Sequence, residues 1–590
     1  MKSSIKSFKR NRIGEAILLI CLLFGFAGEI KAQSAGSRNG MIPHLQKHGT
    51  ATQFIVDGKP YLMLAGELHN SSASSIRYMR PIWSHLDSLH LNTVIATISW
   101  ELTEPKEGTF NYDLIDSLIS EAHAHDLHLV FIWFGTWKNA GSTYAPAWVK
   151  TNLDKYPRMQ NRPGHNLEAL SPFGEVTMKA DANAFAHVMK HIRNVDTHHT
   201  VLAMQVENET GILGSAWDRS PIANSAFGKN VPDRLMNYLR DHRKTLLPEL
   251  REIWASTGYR TSGTWQQVFG DGADEVFMAW YVGSYVNVVA SAGKSEYPLP
   301  MYVNAWLVQP VTPRPGQYPS GGPVSKMMDV WRAAAPSINY FAPDIYASAF
   351  KKIVKRYHRS GNPLFIPEVR ADMATAARSA YVFGELDAMC FSPFGIEDLP
   401  ADHPLADSYR LLHNMMPLIT KYQGTGKMRG VLQSGDHQET IALGDYNLHI
   451  TFTATPKDKI PGFGIIINPS PDEYLITGSG MNVTFTPVHP GNKPIVDFLS
   501  VDEGWYKDGN WVQGRHLNGD ESAGYPRVPF YMSNPDSLYQ SETGLTSMIP
   551  TMSVRIPRLT ADGHFVDPKS FPADSRRGIT VQKVVLYRHK

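Results

Sequence analysis

The sequence has very little cysteine, and this limits how the fold can be held together. Among 590 residues, only Cys21 and Cys390 are cysteines. Cys21 lies in the N-terminal apolar run Ala16–Ala27, and removal of that segment would leave one cysteine and no intrachain disulfide. We therefore expect a fold that depends on its hydrophobic core, with Cys390 as a buried, inert thiol in the apolar run Ala388–Phe391.

The sequence also lacks an excess of charge of either sign. There are 57 Lys and Arg residues against 55 Asp and Glu residues, which gives a net charge of +2. Nucleic acid binding usually needs a basic patch, and disordered segments carry few apolar residues and a high net charge, so neither class is indicated. The content of 42% hydrophobic residues is that of a folded, soluble protein.

Long hydrophobic runs are scarce as well. Beyond the N-terminus, no apolar run reaches the roughly 20 residues that a membrane-spanning helix needs. Five basic residues precede the N-terminal run: Lys2, Lys6, Lys9, Arg10 and Arg12. This pattern is typical of an export signal with cleavage after Ala32. An exported protein without disulfides indicates the bacterial periplasm, with the cell surface or the exterior as alternatives.

Between about residue 60 and residue 420, short apolar runs alternate with helical stretches. The strand-like runs are Tyr61–Ala65, Thr93–Ile98, Leu127–Phe134, Val201–Val206, Met301–Trp306, Tyr340–Ile345, Leu364–Ile366 and Ala388–Phe391. One long helical stretch is predicted over Arg234–Trp254. This alternation predicts an α/β fold, a (β/α)8 TIM barrel. The alternative, a doubly wound sheet, would want a Gly-rich phosphate turn, and none is present.

After about residue 430 the helical periodicity disappears. Short runs separated by turn residues follow, among them Thr440–Leu443, Leu448–Phe452, Gly464–Ile467 and Val581–Tyr587. Such a pattern is typical of an all-β sandwich. The predicted organisation is a signal peptide over residues 1–32, a catalytic barrel over 33–428 and a C-terminal all-β accessory domain over 429–590.

Two glutamates stand where a barrel of this kind carries its functional side chains, at the carboxyl ends of strands. Glu209 follows the fourth predicted strand, and Glu368 follows the seventh. Glycosidic bond cleavage needs such a pair, because one carboxyl protonates the leaving oxygen while the other stabilises or attacks the sugar. Glu207 is a competing candidate, since either Glu207 or Glu209 could face the barrel mouth.

Further motifs stand at the other strand ends. They are Gly66–His69, Trp100–Glu101, Glu104–Pro105, Gly108–Phe110, Ala145–Trp148, Asn304–Trp306 and Pro343–Tyr346. With Asn208, Glu209 and Glu368, they resemble clan A glycoside hydrolases. Within that clan the chain resembles glycoside hydrolase family 35, whose main activity is β-galactosidase, over about residues 45 to 585. It looks closest to a bacterial branch with a C-terminal all-β domain.

The resemblance implies a role for each matching residue. Glu209 would be the acid/base, Glu368 the nucleophile, and Asn208 a hydrogen-bonding partner of the sugar 2-hydroxyl. The implied activity is a retaining, exo-acting β-galactosidase that takes galactose from oligosaccharides or plant polysaccharide side chains. Three departures touch the sugar pocket. Val369 and Arg370 follow Glu368 where better-known members carry aromatic residues. Asn70 follows His69 where better-known members soon carry a tyrosine, and Thr210 replaces the tyrosine that follows their acid/base.

Other side chains at strand ends are predicted to contact the sugar. Glu67 is expected to bind hydroxyl groups, and Tyr346 to hydrogen-bond Glu368. Trp100, Trp137 and Trp306 are candidates for stacking walls, with packing inside the barrel as the alternative reading.

Several alternatives to this function stay open at this point. The chain could be another clan A β-glycosidase, such as a β-glucosidase, a β-mannosidase or an endo-glucanase. It could also be a non-catalytic carbohydrate-binding surface protein. We expect a carbohydrate partner and no nucleic acid partner. No metal or cofactor is expected either, because His187 and His191 lack the glutamate of a zincin helix.

Overall fold

The computed structural model describes residues 41–359, 361–454, 459–507, 509–517, 553–556 and 580–590. The predicted signal peptide and Cys21 lie outside these residues. The described chain begins with a small antiparallel sheet of three strands, His44–His48, Ala51–Val56 and Lys59–Tyr61. Phe54 and Val56 of this sheet are buried in one cluster with residues from the barrel interior, so the sheet closes one end of the barrel.

Eight parallel strands then form a closed barrel, in which the fourth strand pairs with the fifth to complete the ring. From first to eighth, the barrel strands are Met63–Glu67, Thr93–Ser99, His128–Lys138, Val201–Asn208, Met301–Trp306, Tyr340–Ile345, Phe365–Val369 and Cys390–Pro393. The predicted barrel is confirmed, and each predicted strand overlaps an observed one. Cys390 is fully buried and unpaired, as expected.

Helices surround the strands and bury one face against them. They are Ile76–Ser88, Trp100–Thr103, Asp113–Ala124, Ala147–Lys150, Glu175–Val195, Pro221–Phe227, Asp233–Asp241, Pro248–Ala255, Trp265–Phe269, Ala273–Glu296, Met328–Ala334, Phe350–Tyr357, Thr375–Glu385 and Pro404–Tyr422. In Asp113–Ala124, the buried residues Ile115, Leu118, Ile119 and Ala122 recur every three or four positions. This is the spacing of one helical face turned toward the barrel.

One helical prediction is wrong. The stretch Arg234–Trp254 is not a single helix, because the structure has Asp233–Asp241 and Pro248–Ala255 with a break between them. Proline has no backbone N–H and clashes with the preceding turn, so Pro248 begins a new helix instead of continuing the old one.

The longest described helix, Ala273–Glu296, was not predicted, and 14 of its 24 residues are buried. A helix that is apolar on most sides has no polar face, and therefore gives no amphipathic period to detect. The stretch Trp265–Glu296 is long and apolar enough to cross a membrane by composition alone. Its most apolar window is 67% buried inside the protein, and it packs against Glu175–Val195, as a core helix does.

The last barrel helix, Pro404–Tyr422, covers the junction of the first and eighth strands. The hydroxyl of Tyr409 lies 2.8 Å from the carbonyl oxygen of Ala65 and 2.7 Å from that of Phe391. Ala65 belongs to the first strand and Phe391 to the eighth. One buried side chain therefore links the first and last strands of the barrel, where the ring closes.

Beyond the barrel, the described residues form two antiparallel sheets. One sheet has the strand order Met428–Leu432, Phe463–Ser470, Glu473–Ser479, Val581–His589, Ile495–Lys507 and Asn510–Leu517. The other has the order Gln438–Leu443, Tyr446–Phe452, Met481–Pro487 and Ser553–Ile556. Val431 and Ile476 of the first sheet pack with Leu448 of the second in a core of their own. The predicted all-β sandwich is confirmed.

The sandwich packs directly on the barrel helix Thr375–Glu385 with little space between them. A Cβ atom at Gly430, in the strand Met428–Leu432, would lie 2.7 Å from the backbone nitrogen of Glu385. The neighbouring Arg429 makes two hydrogen bonds of 2.8 and 2.9 Å to the carboxylate of Glu385. Glycine is therefore required here by close backbone approach.

We expect Gly430→Ala to lower the free energy of unfolding by about 1–3 kcal/mol, because the added methyl group would overlap backbone atoms that cannot easily move. The measurement is thermal unfolding. Gly228→Ala is the matched control, since Gly228 has a helical φ of −74° and its nearest neighbours would lie 3.7 Å from a Cβ atom. Its change should stay within about 0.5 kcal/mol. Equal unfolding temperatures for the two variants would contradict a tight junction.

Candidate active site

A cavity of about 360 Å³ lies at the carboxyl ends of the barrel strands. Four predicted site residues line it, namely Glu209, Trp306, Tyr346 and Glu368. Strand register explains part of this grouping, because Trp306 is paired with Asp344 and Asp344 with Glu368 on three consecutive strands. Paired residues of neighbouring parallel strands point to the same side of a sheet, so these side chains share one rim.

The backbone of Glu209 has an unusual conformation that two hydrogen bonds hold in place. Its φ of 44° is in the left-handed region, which costs a residue other than glycine about 1–2 kcal/mol. Its N–H donates to Oδ1 of Asn304 at 2.9 Å, and its carbonyl oxygen accepts from the N–H of Ala140 at 3.0 Å. The loop after the third strand and the fifth strand therefore fix the direction in which Glu209 points.

Glu207, the competing candidate, points away from the cavity. Its φ is also positive, at 64°. Its carboxylate accepts hydrogen bonds from the backbone N–H groups of Thr136 at 3.2 Å and Trp137 at 2.6 Å. Burial, with Asp181 as a neighbouring carboxyl, raises the pKa of Glu207 well above its usual range. The described lining includes Glu209 and not Glu207, so the two carboxyls have different roles.

The electrostatics of Glu209 suit a general acid. Burial, and then the like charge of Glu368, raise the pKa of Glu209 to about 7, while the ammonium group of Lys138 partly opposes the shift. A glutamate with this pKa keeps its proton into the neutral range, where an ordinary glutamate has lost it. It can therefore both give and take a proton near pH 7.

The pKa of Glu368 lies above its usual value, but two neighbours favour its carboxylate form. Burial raises its pKa, but a hydrogen bond from Tyr346 and the positive charge of Lys138 oppose that effect. The hydroxyl of Tyr346 donates to Oε1 of Glu368, which is the predicted contact. A hydrogen bond donated to the charged form stabilises that form and fixes its orientation. One cavity thus holds Glu209, whose surroundings favour the protonated form, and Glu368, whose hydrogen bond and neighbouring cation favour the ionised form.

Two predicted sugar contacts stay predictions. Glu67 is buried, and burial followed by the charge of Glu368 raises its pKa well above the usual range. Asn208 is buried as well, and among the described residues its side-chain oxygen has no hydrogen-bond partner. Both are close to Glu209 or Glu368, but neither is among the residues that line the cavity.

The prediction of stacking walls is wrong for two of the three tryptophans. Trp100 is fully buried and donates to Oε2 of Glu104 at 2.8 Å. Trp137 is also fully buried and donates to the carbonyl oxygen of Leu170 at 3.0 Å. Neither lines the cavity, so both are packing residues. Trp306 is half-buried and does line the cavity.

Sequence reasoning missed two charged residues that line the cavity. Lys138 ends the third strand, which is longer than predicted, and its ammonium group acts on both Glu209 and Glu368. Alternation along that strand would have placed Lys138 and Trp137 on opposite sides, had the strand end been set correctly. Asp344 stood within a quoted motif but was given no role. In the part of the chain that is described, no three His, Cys, Asp or Glu side chains are grouped to hold a metal ion.

Parts of the chain match known families. A model of glycoside hydrolase family 42, described as beta-galactosidase, matches residues 77–269, and a domain of unknown function, DUF5597, matches residues 405–528. A curated beta-galactosidase from Xanthomonas manihotis is 30% identical over 175 residues. That alignment covers 27% of this chain and 25% of the length of the relative. The similarity is to clan A β-galactosidases. The matching model is that of family 42, so the finer resemblance to family 35 stays a prediction.

Solved structures align at low identity. A beta-galactosidase from Bacillus circulans sp. alkalophilus is 13% identical, with a TM-score of 0.42 over 61% of this chain and 57% of that chain. An endo-1,4-beta-mannanase from Rhizomucor miehei is 13% identical, with a TM-score of 0.38 over 59% of this chain and 89% of that chain.

The raised pKa of Glu209 predicts a change in stability with pH. Its value of about 7 in the folded protein exceeds the ordinary 4.5, so the folded state binds the proton more tightly than the unfolded state. Stability from this group is therefore full below about pH 4 and is lost as the pH rises through about 7. We expect Glu209→Gln, which cannot ionise, to be more stable than wild type above pH 7, by an amount on the order of 1–3 kcal/mol.

Thermal unfolding over a pH series checks this prediction, and the gap between the two proteins should close in acid. Glu175→Gln is the control, because its side chain is 78% exposed and forms only a loose ion pair with Lys179. That variant should follow wild type at every pH. A Glu209→Gln protein less stable than wild type at alkaline pH would contradict the raised pKa.

Proposed function

We propose that the protein is a glycoside hydrolase that removes terminal β-linked galactose from oligosaccharides or plant polysaccharide side chains, with retention of configuration. The observation that carries the proposal is the placement of Glu209 and Glu368 in one cavity, from the ends of the fourth and seventh strands. The similarity of residues 77–269 to β-galactosidases supports galactose as the sugar.

In the first chemical step, a carboxylate oxygen of Glu368 attacks the anomeric carbon as the bond to the leaving oxygen breaks. The leaving oxygen takes the proton of Glu209, and a glycosyl ester on Glu368 results. In the second step, Glu209 accepts a proton from water, the water oxygen attacks the anomeric carbon, and Glu368 leaves as a carboxylate. Both steps use Glu209 near its pKa of about 7, which favours proton transfer in either direction.

The cavity is suited to a single terminal sugar. Its volume of about 360 Å³ lies at the small end of ligand-binding pockets. Trp306 offers an aromatic side chain, while the amides of Asn70, Asn139 and Gln309 can each donate to and accept from sugar hydroxyls. This combination supports exo-acting cleavage over binding of a long polymer segment.

Initial rates on a panel of aryl β-glycosides test the proposal, with galactoside, glucoside, mannoside, fucoside, arabinoside and xyloside as substrates. We expect the galactoside to react fastest and Glu368→Ala to lose turnover by a factor of at least about 10³. Glu209→Ala should lose far less on an activated aryl leaving group than on a natural disaccharide, because a good leaving group needs no acid.

The control is Glu207→Gln, which alters the buried carboxyl two residues from Glu209 without touching the cavity. It should keep most of the turnover, since Glu207 bonds to backbone N–H groups and not to substrate. If the glucoside or the mannoside reacted faster than the galactoside, the proposed sugar specificity would be wrong, but the proposed mechanism would stand. No turnover of any glycoside, including a natural polysaccharide panel, would contradict the proposal.

The pH dependence of kcat/KM gives a separate prediction. The upper limb should fall near pH 7, because Glu209 loses the proton it must donate. The lower limb should fall as Glu368 gains a proton and ceases to be a nucleophile. The measurement is kcat/KM on a natural β-galactoside between about pH 4 and pH 10. A rate that stays level from about pH 6 to pH 9 would show that Glu209 is not the acid.

A further inference from the structure

Asp344 is a third carboxyl in the cavity that Glu209 and Glu368 line. It is 3% exposed at the end of the sixth strand. Nδ2 of Asn304 donates a hydrogen bond to its Oδ2 at 2.8 Å. Glu209 lines the same cavity, and hydrogen bonding between the two carboxyls raises the pKa of Asp344 while it lowers that of Glu209. Two buried acidic groups therefore meet where the fourth and sixth strands end.

A hydrogen bond between two carboxyls requires a proton on one of them. An ionised carboxylate only accepts hydrogen bonds, so two ionised groups in contact have no donor between them. Oδ1 of Asp344 is buried, and among the described residues it receives no hydrogen bond from an N–H group or a hydroxyl. Since Oδ2 already accepts from Asn304 and Oδ1 is unpartnered, we assign the interaction with Glu209 to Oδ1.

The charges around Asp344 favour a neutral group. The acidic and phenolic side chains that interact with it come from several elements of the barrel: Glu67, Glu209, Tyr302, Tyr346, Tyr357 and Glu368. Lys138 is the one cation among the described residues that line the cavity. Lys138 and Tyr346 both support the charge of Glu368. Burial, and then the charge of Glu368, raise the pKa of Asp344 well above its usual range.

We propose that Asp344 is a positioning residue that keeps its own proton and donates it as a hydrogen bond to Glu209. This inference rests on the proposed function, in which Glu209 is the acid/base. When Glu209 gives its proton to the leaving oxygen, the new carboxylate is stabilised by the O–H group of Asp344. Glu209 is then a stronger acid than its burial alone would make it. Asp344 remains protonated through both chemical steps, so no proton is gained or lost there.

Asn304 sets the geometry of this contact. Its Nδ2 donates to Oδ2 of Asp344, and its Oδ1 accepts the backbone N–H of Glu209 at 2.9 Å. A donor at Oδ2 favours the proton of Asp344 on Oδ1, the oxygen that we assign to the interaction with Glu209. One amide side chain therefore orients both members of the pair.

Two variants separate the hydrogen bond from the charge. Asp344→Asn keeps the shape and the donor, because the amide oxygen can accept from Asn304 while the amide nitrogen donates to Glu209. Asp344→Ala removes the donor. If the alanine variant fails to fold, Asp344→Val replaces it, since valine fills more of the space and has no hydrogen-bond donor. Thermal unfolding establishes which variants are folded.

The first readout is infrared spectroscopy of the substrate-free protein at neutral pH. The difference between wild type and Asp344→Asn should contain the C=O stretch of a protonated carboxyl. Carboxylate bands in its place would overturn the proposal. This result does not need turnover, so it decides the protonation of Asp344 even if no glycoside is hydrolysed and the proposed function fails.

The second readout is the upper limb of the pH profile of kcat/KM on a natural β-galactoside. Asp344→Asn should leave the limb within about half a pH unit of wild type. Asp344→Ala should move it upward by about one unit and lower kcat about tenfold, because Glu209 has lost its donor. A downward move of about one unit in Asp344→Asn would mean that a negative charge had been removed, and would overturn the proposal. An unchanged profile in Asp344→Ala would overturn it as well.

The matched control is Asp196→Asn. Asp196 is also 3% exposed and accepts hydrogen bonds from the backbone N–H groups of Thr200 and Val201. It lies at the opposite end of the fourth strand, far from the cavity. This variant should lower the unfolding temperature without moving the upper limb of the pH profile. The comparison therefore distinguishes a general loss of stability from loss of the hydrogen bond that Asp344 donates to Glu209.

Discussion

Four carboxyl groups buried at one rim of the barrel, with a single ammonium group beside them in the described lining, are the constraint on which the rest of the site depends. A buried charge without a partner costs several kcal/mol. The charge is therefore concentrated on Glu368, where Lys138 and Tyr346 support it. The remaining groups, Glu67, Glu209 and Asp344, favour their protons. A protonated carboxyl and a carboxylate can thus coexist at one pH, as the proposed acid and nucleophile require, because their surroundings differ.

Much of the fold could be predicted because barrel strands are short apolar runs bounded by turn residues, and these features are local. The fifth and sixth strands, Met301–Trp306 and Tyr340–Ile345, were placed without error. Helices were harder where the local signal misleads. Pro248 separates two helices whose apolar spacing runs across the break, and Ala273–Glu296 is buried on too many sides to show a period. Both errors come from packing that a single stretch of sequence does not contain.

The candidate site was predictable in part for the same reason. Strand ends identified Glu209 and Glu368, but strand alternation could not distinguish Glu209 from Glu207. Both have left-handed backbone conformations. That of Glu209 is held by Asn304 and by Ala140 in the loop after the third strand, and both residues are distant in sequence. The direction of Trp137 depends in the same way on where its strand ends. Local sequence pattern thus identifies the candidate carboxyl residues, and tertiary contacts determine which of their side chains enters the cavity.

The helix Pro404–Tyr422 has a consequence for how the gene can change. Tyr409 of this helix joins the first and eighth strands of the barrel. The family model for the C-terminal region begins at residue 405, inside that helix, so the segment recognised as a separate domain carries the seal of the barrel with it. Recombination that exchanges this segment also exchanges the seal. A replacement for this segment must therefore supply a helix whose tyrosine reaches both the first and the eighth strand.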